Sequence, residues 1–164
     1  QVVRIHAGVG SAVHGLVFEF GDGTLRGSIL DDSGRPVSLS TVSNRLTWSS
    51  TSTVDRGDRI VKVSGHGTTD PRFLCNDISF YLQSGREIPF SASMDQGWKG
   101  GPFDFSVESG LSFRDLEFAG GTVVHVIATT QATTTPEPTM PTPAPMTTTT
   151  PAPTTTAATT TSVT

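Results

Sequence analysis

Apolar and polar residues alternate with a period of two along much of the first 130 positions, and no stretch sustains a helical period. In Gly15–Phe20, Leu16, Phe18 and Phe20 fall on one side and Val17 and Glu19 on the other. Ile78, Phe80 and Leu82 alternate with Ser79, Tyr81 and Gln83, and Phe103, Phe105 and Val107 with Asp104 and Ser106. Each pattern predicts a strand with one buried face. The run Thr122–Ala128 is β-branched and apolar at nearly every position, which predicts a strand buried on both faces. Turn residues separate the runs at Gly21–Gly23, Asp31–Gly34, Asp55–Asp58, Ser84–Gly85 and Glu108–Gly110. Strands and turns in this rhythm predict an all-β domain over residues 1–130, a sandwich, barrel or prism of ten or so short strands.

Composition changes abruptly after that. From residue 131 to 164 the chain holds 16 Thr, 7 Pro and 5 Ala, with Glu137 as its one charge, whereas every Gly, Phe, Trp and Tyr lies earlier. Such a segment has no large side chains with which to offset the entropy of folding. Its prolines favour extended polyproline II, and at about 3.1 Å per residue it would reach roughly 105 Å. Thr/Pro-rich sequence of this kind predicts a mucin-like stalk with covalent O-linked glycans; a plain linker is the alternative. The candidate acceptors are Thr133, Thr134, Thr135, Thr139, Thr142, Thr147, Thr148, Thr149, Thr150, Thr154, Thr155, Thr156, Thr159, Thr160 and Thr161. No Asn-x-Ser/Thr sequon occurs, so the glycans would be O-linked. Gln1 in place of an initiator Met is what signal-peptide removal leaves, which points to an extracellular or cell-surface location.

The net charge of −4 without a basic cluster argues against nucleic acid as a partner, and no apolar run is long enough for a membrane span. Chemistry is sparse. His6, His14, His66 and His125 lie in no metal-ligand spacing, and no metal or other cofactor is expected. Asp31–Gly34 is too short for a calcium loop, Gly21-x-Gly23 is a turn between strands rather than a dinucleotide fingerprint, and no Gly-x-Ser-x-Gly elbow occurs. Cys75, approaching an apolar strand, reads as a small buried residue, with an intermolecular disulfide as its other use. No catalytic residues are assigned, and the chain does not read as an enzyme.

Several segments, in order, resemble jacalin-like lectins. Val13–Gly23 is similar to that family's V-x-x-I-x-F-x-Y-x-D-G hairpin, and Gly57–Gly65 to its G-E-x-I-x-x-V-x-G segment. Asp77–Gly85 resembles I-x-S-L-x-F-x-T-N, and Gly100–Phe105 followed by Gly110–Phe118 resembles G-x-x-F and then G-x-I-x-G-F. The resemblance covers about residues 2–129. It implies a β-prism of three Greek-key-like four-stranded sheets around a pseudo-threefold axis. It also implies a sugar site at a G-x-x-x-D signature, which here reads Gly121-Thr-Val-Val-His125. A neutral imidazole offers one acceptor where a carboxylate offers about four lone-pair sites, so the family's grip is lost. Carbohydrate binding would then rest on His125, the backbone N–H groups of Gly120 and Gly121, and Trp98 as a stacking face. The family's Gly-rich first strand has no counterpart, because Gln1 stands where the next strand begins. One sheet edge would be left open, to be covered by the chain's own tail or by a neighbour through strand or tail exchange.

These features favour a structural subunit of a glycan-coated fibre, sheath or coat, which self-associates. The alternative is a lectin that binds carbohydrate and uses the stalk only to project its head.

Overall fold

The structure, a computed structural model, describes residues 1–42, 48–92 and 98–130. The Thr/Pro-rich segment and all its candidate acceptors, Thr133 to Thr161, lie outside the described residues.

Among the described residues ten strands form three antiparallel sheets. The first contains β1 (Val2–Val9), β2 (Val13–Phe20), β3 (Leu25–Ile29) and β4 (Ser50–Thr53), in the order β3-β2-β1-β4. The second contains β5 (Ile60–Thr68), β6 (Asp77–Leu82), β7 (Glu87–Ser91) and β8 (Lys99–Ser106), in the order β7-β6-β5-β8. The third is the hairpin of β9 (Leu111–Ala119) and β10 (Thr122–Thr130). One short helix, α1 (Leu39–Val42), follows β3.

The alternation read from the sequence becomes the core. Leu16, Phe18 and Phe20 of β2, Ile78, Phe80 and Leu82 of β6, and Phe113 and Leu116 of β9 belong to one buried cluster. At its centre each sheet supplies one phenylalanine. Phe18 meets Phe80 at 5.6 Å and Phe113 at 4.7 Å between ring centroids, and Phe80 meets Phe113 at 6.1 Å, all edge to face. Such contacts add about 0.5–1.5 kcal/mol each beyond the area they bury. Three sheets closing on one apolar axis make the fold a β-prism. The outer face of β2 is covered too, because Val17 and Ile29 pack with Val37, Leu39 and Trp48.

All five predicted reversals are turns. Pro89 and Pro102 lie in β7 and β8, the two edge strands of their sheet, where a missing N–H costs no central ladder bond.

Two expectations change. The prism was expected to lack one strand of twelve; the third sheet has two strands among the described residues, so the shortfall is two, both in one sheet. The run Thr122–Ala128 is not buried on both faces. In β10 only Val123 is buried, while Val124 and Ile127 are 43% and 40% exposed. β10 pairs only with β9, and no described element covers its outer face, so apolar content alone did not produce burial.

Candidate functional site

One end of the prism gathers the close of β5, the loop from Thr69 to Asn76, the start of β8 and the β9–β10 turn. The turn is tight: Ala119 pairs with Thr122 across Gly120 and Gly121, whose φ angles are +57° and +77°. It is also pinned. The Thr68 amide donates to the Gly121 carbonyl at 2.7 Å. A Cβ on Gly121 would sit 2.6 Å from the Thr68 carbonyl oxygen, so glycine is required by both conformation and space. One residue on, the Thr69 amide donates to the Trp98 carbonyl at 2.9 Å, which fixes the backbone beneath the indole.

The loop after Thr69 is organised by a charge pair two residues apart. Asp70 is buried, and its carboxylate accepts from the Arg72 amide at 3.0 Å, from Nε at 3.0 Å and from Nη2 at 2.6 Å. These bonds hold the Asp70 carboxyl below the ordinary carboxylate range and raise Arg72 in turn. Held this way, the guanidinium lies 5.8 Å from the Phe73 ring centroid and 5.9 Å from that of Trp98, both within cation–π range. Gly34 of the neighbouring loop comes so close that a Cβ there would be 2.7 Å from the Arg72 Cα.

The result is a hollow of about 230 Å³ lined by Ser11, Ala12, Thr68, Arg72, Phe73 and Trp98. Trp98 is 48% exposed, unusual for so large a ring held by its backbone. A second hollow of about 250 Å³, with His14, Asp31 and Asp32 in its walls, shares Arg72 and Phe73 with the first. The two adjoin across these side chains, and the first, beneath Trp98, is the groove open to a ligand. A pyranose could lay its C–H face on the indole while its hydroxyls meet the Arg72 Nη1 donor and the Thr68 and Ser11 hydroxyls.

Of the four residues expected to hold a sugar, the structure brings three to this end. Gly120 and Gly121 make the turn, and Trp98 joins them through Thr68 and Thr69. His125 is elsewhere. It sits along β10 opposite Glu117, with Nδ1 4.0 Å from the Glu117 carboxylate and both side chains largely exposed. It lines a separate hollow with Phe105, Val107 and Ile127. The sequence reading missed Thr68, Asp70, Arg72 and Phe73. The Asp70-Pro71 step signalled a turn and the Asp-x-Arg spacing a local ion pair, but nothing in sequence indicated that Trp98 would fold over them.

Other candidate chemistry resolves plainly. Cys75 is fully buried, and burial first, with the nearby Asp77 charge, pushes its thiol far up, so it is held as the unreactive thiol. Among the described residues no group of three or more His, Cys, Asp or Glu side chains could hold a metal ion. Among them, too, no helix is long and apolar enough to cross a membrane.

No family sequence model matches the chain, and no curated protein sequence does either. Among solved structures the chain is similar to a prostate-specific WGA16 glycoprotein lectin, with a TM-score of 0.49 and 11% identity over 78% of this chain and 80% of that one. It is also similar to Calystegia sepium agglutinin, with a TM-score of 0.47 and 14% identity over 80% and 83%. Neither transfers a ligand to this chain.

Proposed function

We propose that the protein is a carbohydrate-binding lectin rather than an enzyme, with its sugar site at the Trp98 end of the prism. The observation that supports this most is Trp98 itself: a half-exposed indole, fixed by its backbone, facing a groove in which the Arg72 guanidinium is oriented by a buried carboxylate. The arrangement is built before any ligand arrives, which lowers the cost of ordering on binding. On this reading residues 131–164 form an O-glycosylated stalk that projects the head from a cell surface or into the extracellular space, as their composition suggests.

A glycan array followed by calorimetry tests the proposal. Saturable binding of at least one neutral glycan is expected, falling at least tenfold in Trp98→Ala with the fold intact. Binding unchanged by that substitution would move the site elsewhere, and absence of binding to every glycan would end the reading.

A second reading, the self-associating structural subunit, is favoured by β10. Its outer edge has no partner among the described residues, carries neither Lys nor Pro, and exposes Val124 and Ile127 beside it. Soluble proteins usually guard such an edge. Large assemblies of the glycosylated protein under electron microscopy are expected on this reading, and a monomer at high concentration would exclude it.

A further inference from the structure

We propose that the opposite end of the prism carries a second binding site, for a small organic carboxylate, built around Arg59. Arg59 stands just before β5 with its backbone held on both sides. Its amide donates to the Asp58 carboxylate at 2.9 Å, and its carbonyl accepts from the Gln83 amide at 2.9 Å. Its side chain is not held in the same way. Arg59 Nε is buried without a hydrogen-bond acceptor, the single side-chain nitrogen or oxygen so placed among the described residues. Buried donors are paired almost without exception. The rest of the Arg59 side chain, which is partly exposed, has no hydrogen bond or ion pair among the described residues either. The whole guanidinium is therefore without an acceptor among them, and its exposed part is what a ligand could meet.

The neighbouring carboxylates do not supply that acceptor. Asp58 is turned to Ser84, taking the Ser84 amide at 3.1 Å and the hydroxyl at 2.5 Å. Asp55 pairs with Arg86 at 3.4 Å. Arg59 instead lines a hollow of about 340 Å³, at the lower end of small-ligand pockets. Four further polar side chains line it. Gln83 and Ser112 have no side-chain partner among the described residues, Gln1 Nε2 donates to the Asp55 and Asp58 carbonyls, and the Asp58 carboxylate is engaged by Ser84. Phe113 and Ile60 supply an apolar wall.

A guanidinium edge presents parallel N–H donors at the spacing of a carboxylate's two oxygens, and bonds to a charged acceptor are the strong ones. With an amide and a hydroxyl beside it and a small apolar floor where the buried Ile60 and Phe113 reach the hollow, the site fits a carboxylate on a body the size of one sugar ring. Acidic monosaccharides have that form. The site is distinct from the Trp98 groove in position and in the charge it selects.

The test titrates the full chain with glucuronate, with glucose and inorganic sulfate as controls, followed by amide chemical shifts. Saturable binding of glucuronate is expected, with shifts around Arg59, Gln83 and Ser112. It should weaken at least tenfold in Arg59→Gln and only partly in Arg59→Lys, and be unaffected by Trp98→Ala. No glucuronate binding, or binding insensitive to Arg59→Gln, overturns the proposal. Equal affinity for glucose or sulfate overturns the carboxylate assignment. Should Arg59→Gln fail to fold, Ser112→Ala and Gln83→Ala decide instead: each must lower the affinity several-fold, and unchanged affinity in both overturns it.

Discussion

At the Trp98 end of the prism the charge pair is closed within one loop, Asp70 to Arg72, and what faces solvent is an aromatic ring. At the Arg59 end the charge is left open and the aromatic ring, Phe113, is the buried wall. The same strands serve both ends, since β5 runs from Arg59's neighbour Ile60 to Thr68. The difference teaches that the frame does not dictate the chemistry at its ends. Whether a carboxylate lies two residues from its arginine, as in Asp70-Pro-Arg72, or is engaged by a serine, as Asp58 is by Ser84, decides which group is offered to a ligand.

Breaking what the two ends share should have the largest effect. Phe80 touches Phe18, Phe90 and Phe113 and so ties all three sheets together. Phe80→Ala is expected to cost about 3–5 kcal/mol in chemical denaturation, and both ends should lose binding together. Gly121→Ala separates the ends. Its φ of +77° and the close Thr68 carbonyl predict a loss of about 1–3 kcal/mol, with the Trp98 groove disturbed and the Arg59 hollow retained in an amide spectrum.

Acid should separate them more gently. The carboxyl of Asp70 is lowered by its bonds to Arg72, so the pair contributes fully above the unfolded carboxylate value of about 3.9 and is lost as pH falls through the lower folded value. Glycan binding at Trp98 is therefore expected to hold from neutral pH down to about pH 4 and to weaken several-fold below it. Asp70→Asn should bind more weakly at neutral pH and lack that acid limb, as a binding titration from pH 7 to 3 will show. The smallest effect belongs to the exposed face of β10. Val124→Thr should change stability by no more than about 0.5 kcal/mol, because the side chain is already 43% exposed. If β10 mediates assembly, the same change will lower the oligomer's sedimentation coefficient while leaving the prism as stable as before.

Much of this frame was legible in advance. Ile78, Phe80 and Leu82 announced β6 because a strand with one buried face must alternate, and the turn residues marked where each hairpin reverses. Thr122–Ala128 misled for a physical reason. Burial belongs to the neighbours of a strand, and a two-stranded sheet covers little of its own hairpin. The site was half legible. Trp98, Gly120 and Gly121 could be picked by residue type, and Gly121 by its turn. His125 followed only from a motif's spacing, and a tight β9–β10 turn carries that position along the strand and away from the groove.

The sequence by itself determined an all-β head, its reversals and its aromatic axis, because alternation and turn chemistry act between residues close in the chain. It also determined a Thr/Pro segment too poor in large side chains to build a core. Only the tertiary structure decided that Trp98 would stand over Arg72, that β10 would be left half exposed, and that Arg59 Nε would be buried with no partner among the described residues. Those are contacts between residues far apart in sequence, set by how three sheets close on Phe18, Phe80 and Phe113.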